Sequence, residues 1–185
     1  LKAPLVCGDF PRAVRFAMQY LWAFGHRRIG FIVNTYLGEY QQEYSEFSRS
    51  FGPFPERWKL ALDYDGTLEM LAKLPTDEIL DAYLRDNPEL TAVCTTVLGQ
   101  KLAVIARSKG RRIPDTFSIV SLATAPAPGG FPLTSMRVSI RPMGESAAHK
   151  LFEIIHRGPP AQEEIIQIPL DLIEGESVAA PPIGR

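Results

Sequence analysis

One helix-to-strand step near the start of the chain constrains its fold more than any other feature. Apolar residues repeat at three- and four-residue spacing over residues 11–24, which predicts an amphipathic helix. Gly25 and His26 come next, and an uninterrupted apolar run over residues 29–33 follows them. A continuous apolar run is typical of a parallel strand that is covered on both faces. This step therefore predicts a parallel sheet packed against helices.

The same alternation continues along the rest of the chain. Apolar runs predict strands at residues 4–7, 29–33, 58–64, 91–96, 117–122, 136–140, 164–168 and 170–173. Periodic patterns predict helices at residues 11–24, 36–51, 75–85, 98–109 and 144–156. Strands that alternate with helices indicate βαβ units, so the predicted fold class is α/β with a parallel sheet.

Composition excludes several classes of protein. The 185 residues carry a formal net charge of −1 with acids and bases interspersed, so no segment forms the basic surface that nucleic acids require. Cys7 and Cys94 lie inside apolar runs, which predicts buried side chains, no metal site and no cofactor. No apolar run is long enough to cross a membrane. Because the chain lacks an initiator methionine and a signal peptide, we expect it to begin inside a longer protein.

Six short segments form a pattern that extends over nearly the whole chain. They are the strand ending in Asp9, the string Gly25-His26-Arg27-Arg28-Ile29, residues 110–120 (GRRIPDTFSIV), residues 132–136 (PLTSM), residues 143–147 (MGESA) and residues 168–173 (IPLDLI). In this order and at this spacing, they resemble the effector-binding domain of the lactose-repressor/galactose-repressor (LacI/GalR) family of bacterial transcription regulators.

The resemblance implies a type I periplasmic-binding-protein-like fold, with a three-layer α/β/α lobe and a partial second lobe. On that template, residues 1–9 end the N-terminal lobe and form the first crossover, and residues 10–123 form the C-terminal lobe. Residues 124–134 are a loop and crossover, and residues 135–168 are a strand-helix-strand unit that returns to the N-terminal lobe. Residues 169–178 supply the closing strand of the C-terminal lobe, and residues 179–185 are a tail.

The resemblance also implies a function that is not enzymatic. The chain would be the effector-sensing and dimerisation domain of a cytoplasmic repressor, in which a ligand held between the lobes changes their relative orientation. DNA would be bound only through an N-terminal head that these residues do not include. We expect a homodimer whose contacts include residues 98–109 and the loop at residues 125–131.

The ligand-contacting positions depart from the family pattern. Three charged or amide positions of the family correspond here to Tyr44, to the pair Thr95-Thr96 and to Ala123, and the closing motif has Gly175 where the family usually has arginine. The residues expected at the site are therefore neutral: Tyr36, Tyr40, Tyr44, Thr95, Thr96, Ser121 and Ala123. Hydroxyls and rings suit a less polar or aromatic ligand. The alternative is a domain that dimerises and binds no small molecule.

Two other functions fit parts of the sequence. A periplasmic solute-binding protein would share the fold, although the Gly25-His26 string favours a regulator. Residues 60–68 (LALDYDGTL) resemble the first motif of haloacid-dehalogenase-like phosphatases, with Asp63 as nucleophile and Asp65 as general acid/base beside Mg²⁺. Such an enzyme needs a further acidic ligand after residues 117–122, but the next acid is Glu145. The phosphatase is therefore the weaker alternative.

Overall fold

Parallel strands buried on both faces form the centre of the protein. The computed structural model describes residues 4–34, 38–52, 54–63, 69, 73–122, 129–158, 160 and 162–182. The strands are β1 (Leu5–Gly8), β2 (Ile29–Asn34), β3 (Lys59–Leu62), β4 (Ala92–Thr95), β5 (Ser118–Leu122), β6 (Thr134–Val138), β7 (Ile165–Ile168) and β8 (Leu170–Ile173). The helices are α1 (Phe10–Ala23), α2 (Gly38–Phe51), α3 (Thr76–Asp86), α4 (Gly99–Ser108) and α5 (Ile140–Arg157), with one 3₁₀ turn at Glu56–Trp58.

Six of the strands form the main sheet, in the order β3-β2-β4-β5-β6-β8. The first five strands are parallel, and β8 runs antiparallel to β6 at the edge. β1 and β7 pair in parallel as a separate two-stranded sheet. This arrangement confirms the predicted α/β class with a parallel sheet.

The main sheet has a hydrophobic core on each face, which gives the three-layer arrangement. Phe31 and Val33 pack with α1 and α2 on one face, whereas Ile32 between them packs with α3 and α4 on the other. Successive side chains of a strand point to opposite faces, so a continuous apolar run supplies both cores at once. All six residues of β2 are buried, as expected for a strand next to the centre of such a sheet.

The segment from residue 135 to residue 168 is divided between the two sheets, and this corrects the prediction that it belongs as a whole to the other lobe. β6 lies between β5 and β8 in the main sheet, with Thr134, Ser135 and Met136 buried. Only α5 and β7 cross to the two-stranded sheet. α5 also begins at Ile140, four residues before the predicted start, and Pro142 lies in its first turn, where a missing N–H is tolerated.

β1, α5 and β7 form a small unit with little burial of its own. No residue of α5 is buried, and four of its large apolar side chains are exposed: Ile140, Leu151, Phe152 and Ile155. Each strand of the unit has one buried residue, which is Gly8 in β1 and Ile168 in β7. The main sheet therefore holds nearly all of the core. None of the helices in the described part of the chain has the length and apolar character needed to cross a lipid bilayer.

A buried histidine connects four segments at the amino ends of the main-sheet strands. Nδ1 of His26 lies 2.9 Å from Thr91 Oγ1, and Nε2 lies 3.0 Å from Ser118 Oγ and 2.9 Å from the Ala179 carbonyl oxygen. A carbonyl oxygen can only accept, so Nε2 carries the proton of the neutral ring. Gly25 places the ring there, since its φ of +97° lets the chain turn between α1 and β2.

The extended tail after β8 lies against the main sheet. Its close approach to the backbone there requires glycine at position 175. Ile119 donates its N–H to the Ser177 carbonyl at 2.9 Å, and Thr134 donates its N–H to Ser177 Oγ at 2.8 Å. A Cβ atom on Gly175 would lie 2.3 Å from the Pro132 carbonyl oxygen. No side chain fits at this backbone crossing, so the arginine that the family usually has at this position would clash here.

His26 predicts a stability change at acidic pH. Burial lowers the pKa of His26 from 6.5 to about 4, so the unfolded chain takes up a proton that the folded chain excludes. The free energy of unfolding should therefore fall by about 3 kcal/mol from this group as the pH decreases from 6.5 to 4. Urea titrations over this range should show a smaller decrease for His26→Gln. His149→Gln, which changes an exposed histidine, should match the unchanged chain, and equal decreases in all three proteins would contradict the assignment.

Two glycines should respond oppositely to alanine. Gly175→Ala should lower the free energy of unfolding by about 1–3 kcal/mol, because the new methyl group meets backbone atoms that cannot move aside easily. Gly144→Ala should raise it by about 0.5–1 kcal/mol, since no described atom lies within 4 Å of a Cβ there and alanine is the better helix former. Urea midpoints at an unchanged m-value measure both effects. A neutral Gly175→Ala would show that the tail is not held against the sheet.

Candidate functional site

The carboxyl ends of the parallel strands are the edge at which α/β sheets bind ligands. In the main sheet this edge carries Asn34 at the end of β2, Asp63 after β3, Thr95 at the end of β4 and Ser121 near the end of β5. Asn34, Thr95 and Ser121 are buried, whereas Asp63 is exposed. The edge therefore has polar groups, but most of them are enclosed by the structure around them.

The structure brings two of the predicted site residues together. Thr95 and Ser121 are paired residues of β4 and β5, and both are fully buried. The start of α4 covers Ser121, since its Oγ lies 3.0 Å from where a Cβ of Gly99 would be. The Thr95 hydroxyl hydrogen-bonds to the Val97 carbonyl. Thr96 is half-buried, and its N–H donates to the Ile32 carbonyl at 3.0 Å.

Tyr44 lies in the core, which corrects its expected role as a ligand contact. Its side chain is 4% exposed, and its ring stacks on Phe31 with 5.0 Å between the ring centroids. The hydroxyl donates to the Ile29 carbonyl at 3.3 Å, and burial raises the pKa of Tyr44. Tyr44 shares the inward face of α2 with Phe47, so its ring is not available to a ligand.

Of the other predicted site residues, Tyr40 lies in the described part of the chain, and Tyr36 and Ala123 do not. Tyr40 is half-buried on α2, with its ring centroid 5.8 Å from that of Phe10. It lies near the point where β1 leads into α1. Tyr36 and Ala123 lie outside the described residues, as do residues 125–128 of the predicted dimer loop.

A cavity of about 560 Å³ lies at the boundary between the main sheet and the small unit. Both α1 and α2 begin at the carboxyl edge of the main sheet, so their first turns face β7 across this boundary. The cavity, here called the boundary cavity, is lined mainly by polar side chains: Asp9, Pro11, Arg12, Arg15, Glu39, Gln42, Glu43 and Gln167. Sequence reasoning did not identify this set.

The boundary cavity is charged, unlike the neutral pocket expected from the sequence. Arg15 forms a two-bond ion pair with Glu43, at 2.7 and 3.0 Å. Asp9 caps α1 by accepting the Arg12 backbone N–H at 3.1 Å. Glu39 is exposed in the first turn of α2. Carboxylates and amides in this arrangement can accept and donate hydrogen bonds to a ligand rich in hydroxyl groups.

The phosphatase motif does not assemble in the described residues. Such a phosphatase also needs a lysine downstream of the motif, but Nζ of Lys101 pairs with Asp77 at 2.9 Å and donates to Thr76 Oγ1 at 2.7 Å. Asp65 lies outside the described residues. Within the described part of the chain, no group of three or more histidine, cysteine and acidic side chains could hold a metal ion.

Two curated proteins are similar to this chain in sequence. The chain is 27% identical over 162 residues to the HTH-type transcriptional repressor PurR of Mannheimia succiniciproducens, covering 83% of this chain and 46% of that protein. It is 24% identical over 186 residues to the HTH-type transcriptional regulator reg1 of Streptomyces lividans, covering 98% of this chain and 54% of that protein. The chain thus spans about half the length of these curated relatives.

A solved structure gives the same fold at lower identity. A LacI family transcriptional regulator from Enterococcus faecium with bound ribose superposes with a TM-score of 0.71 and 18% identity, covering 96% of this chain and 66% of that one. The chain thus has the same overall fold as this regulator. Residues 18–178 match the family described as periplasmic binding protein-like domain, and the chain belongs to this family. The predicted resemblance to LacI/GalR effector-binding domains is confirmed.

Proposed function

We propose that this chain is the effector-sensing domain of a bacterial DNA-binding transcription regulator of the LacI type. The observation that carries the proposal is the polar boundary cavity, which lies between two sheets that are connected by short crossovers. The two curated relatives are transcriptional regulators, which supports the assignment. DNA binding would belong to a separate head, and the regulator would act in the cytoplasm as a repressor.

In such a sensor, the ligand would change the orientation of one sheet relative to the other. In this proposal the main sheet, including β8, is the C-terminal lobe, and the small unit is part of the N-terminal lobe. A ligand in the boundary cavity would contact α1 and α2 of one lobe and Gln167 of the other. It would shift the lobe orientation only to the extent that its affinity differs between the two arrangements.

The lining favours a small ligand rich in hydroxyl groups over the aromatic ligand expected from the sequence. Among the acidic and amide residues of the lining, those that Arg15 does not pair with are Asp9, Glu39, Gln42 and Gln167. Charge-assisted hydrogen bonds are about twice as strong as neutral ones, so Glu39, which does not cap a helix as Asp9 does, would dominate binding. Tyr40 and Thr96 would lie at the edge of this site, with Tyr36 and Ala123 as further candidates, whereas the full burial of Thr95 and Ser121 keeps these two side chains from a ligand. The Enterococcus faecium regulator holds ribose, which supports a sugar as the first ligand to test.

α4 carries the surface that we propose for homodimerisation. Val104 is 67% exposed on this helix, and Ile105 beside it is half-buried. Arg107 lies over the Phe131 ring at 4.0 Å, so the end of the 125–131 loop packs against the same helix. An exposed aliphatic group beside an aromatic ring and an arginine is the composition that protein interfaces favour.

An enzyme function has no support in the curated relatives, which are regulators.

The effector proposal predicts ligand-dependent stabilisation that requires Glu39. In a thermal-shift panel of sugars, sugar phosphates and nucleobases, with ribose first, a true ligand at 100 times its Kd should stabilise the chain by about 2.7 kcal/mol. Glu39→Gln should weaken that ligand about tenfold, because a charge-assisted hydrogen bond is lost.

Glu78→Gln is the matched control, since Glu78 is an exposed glutamate in the first turn of α3, away from the boundary cavity. It should leave the affinity unchanged. No response to any compound of the panel would contradict the proposal and favour a domain that dimerises without sensing a small molecule.

A further inference from the structure

A second, smaller cavity lies beside the connections between the two sheets. It has a volume of about 210 Å³ and is enclosed by α1, β8 and the middle of β6. Its lining includes Asp9, where β1 leads into α1, and Pro169, where β7 leads into β8. We call it the hinge pocket, because any molecule inside it touches two of the connections between the sheets.

The base of the hinge pocket is apolar. Ala13 and Met136 are buried at its floor, and Leu170 and Leu172 are half-buried at its wall. Phe16 completes the wall with 44% of its surface exposed. A cavity of about 150 Å³ lined by such side chains can hold benzene, so this one has room for one aromatic ring and a small substituent.

Arg12 gives the hinge pocket a charge preference. Its side chain is exposed at the rim and makes no hydrogen bond or ion pair with any described residue. Asp9, the other charged residue of the lining, already accepts the Arg12 backbone N–H and caps α1. The group available to a ligand is therefore a guanidinium, whose planar fork of donors matches a carboxylate.

We propose that the hinge pocket binds a small aromatic carboxylate, with its ring against Phe16, Leu170 and Leu172 and its carboxylate on Arg12. This site is separate from the boundary cavity, which shares with it only Asp9 and Arg12. The proposal therefore does not depend on a sugar binding between the sheets. A ligand in this pocket would also contact Asp9 and Pro169, which lie in two of the connections between the sheets.

Calorimetric titration of the chain with benzoate tests this proposal, with benzyl alcohol and benzylamine as probes of charge. Benzoate should bind, benzyl alcohol should bind at least tenfold more weakly, and benzylamine should not bind more tightly than benzyl alcohol. Arg12→Gln should remove the preference for benzoate over benzyl alcohol. Leu172→Phe should weaken both by filling the pocket, and Glu39→Gln should change neither.

Arg49→Gln is the matched control, because it removes an exposed helical arginine far along α2 from the pocket. It should leave benzoate binding unchanged. The proposal would be overturned by an absence of benzoate binding to the unchanged chain, or by binding that survives both Arg12→Gln and Leu172→Phe. A preference for benzylamine would also overturn it, since Asp9 would then be the recognition group.

Discussion

The buried, neutral imidazole of His26 is the interaction on which the rest of the main sheet depends. It joins the end of α1 to the residues that lead into β4 and β5, and it also holds the tail at Ala179. A buried polar group is costly unless its partners are present, so these four segments are stable only together. Because β2, β4 and β5 are parallel neighbours, their carboxyl ends lie at one common edge. The candidate site lies along that edge.

The short connections between the two sheets are the physical basis of the proposed sensing. The main sheet has a core on both faces, whereas α5 in the small unit has no buried residue. Three short connections join the two parts: Asp9, Ser139 and Pro169. A unit joined to the main sheet by three short connections can change its orientation without disturbing the main core. Both the boundary cavity and the hinge pocket lie at these connections, so a molecule in either would bias the same movement.

Most of the fold could be predicted from the sequence, because periodicity reports burial directly. The run at residues 29–33 is buried on both faces, and β2 begins at the predicted residue. The site could not be predicted in the same way, since the side of a helix that faces a ligand depends on how it packs. Tyr44 was expected at the ligand by resemblance, but its spacing from Phe47 places it in the core stripe of α2. Glu39 and Gln42 have no periodic signal, because first-turn polar residues look alike whether they face solvent or a cavity.

Native-state amide hydrogen exchange tests the central claim, which is that the two sheets are separate cooperative units whose relative orientation can change. We predict that amides of β4 and β5 exchange only through global unfolding, and that amides of β1 and β7 exchange at a clearly lower free energy with little dependence on denaturant. This result would show two parts of different stability within one chain. Equal exchange free energies for β1 and β4, with the same denaturant dependence, would show one cooperative body and contradict the account.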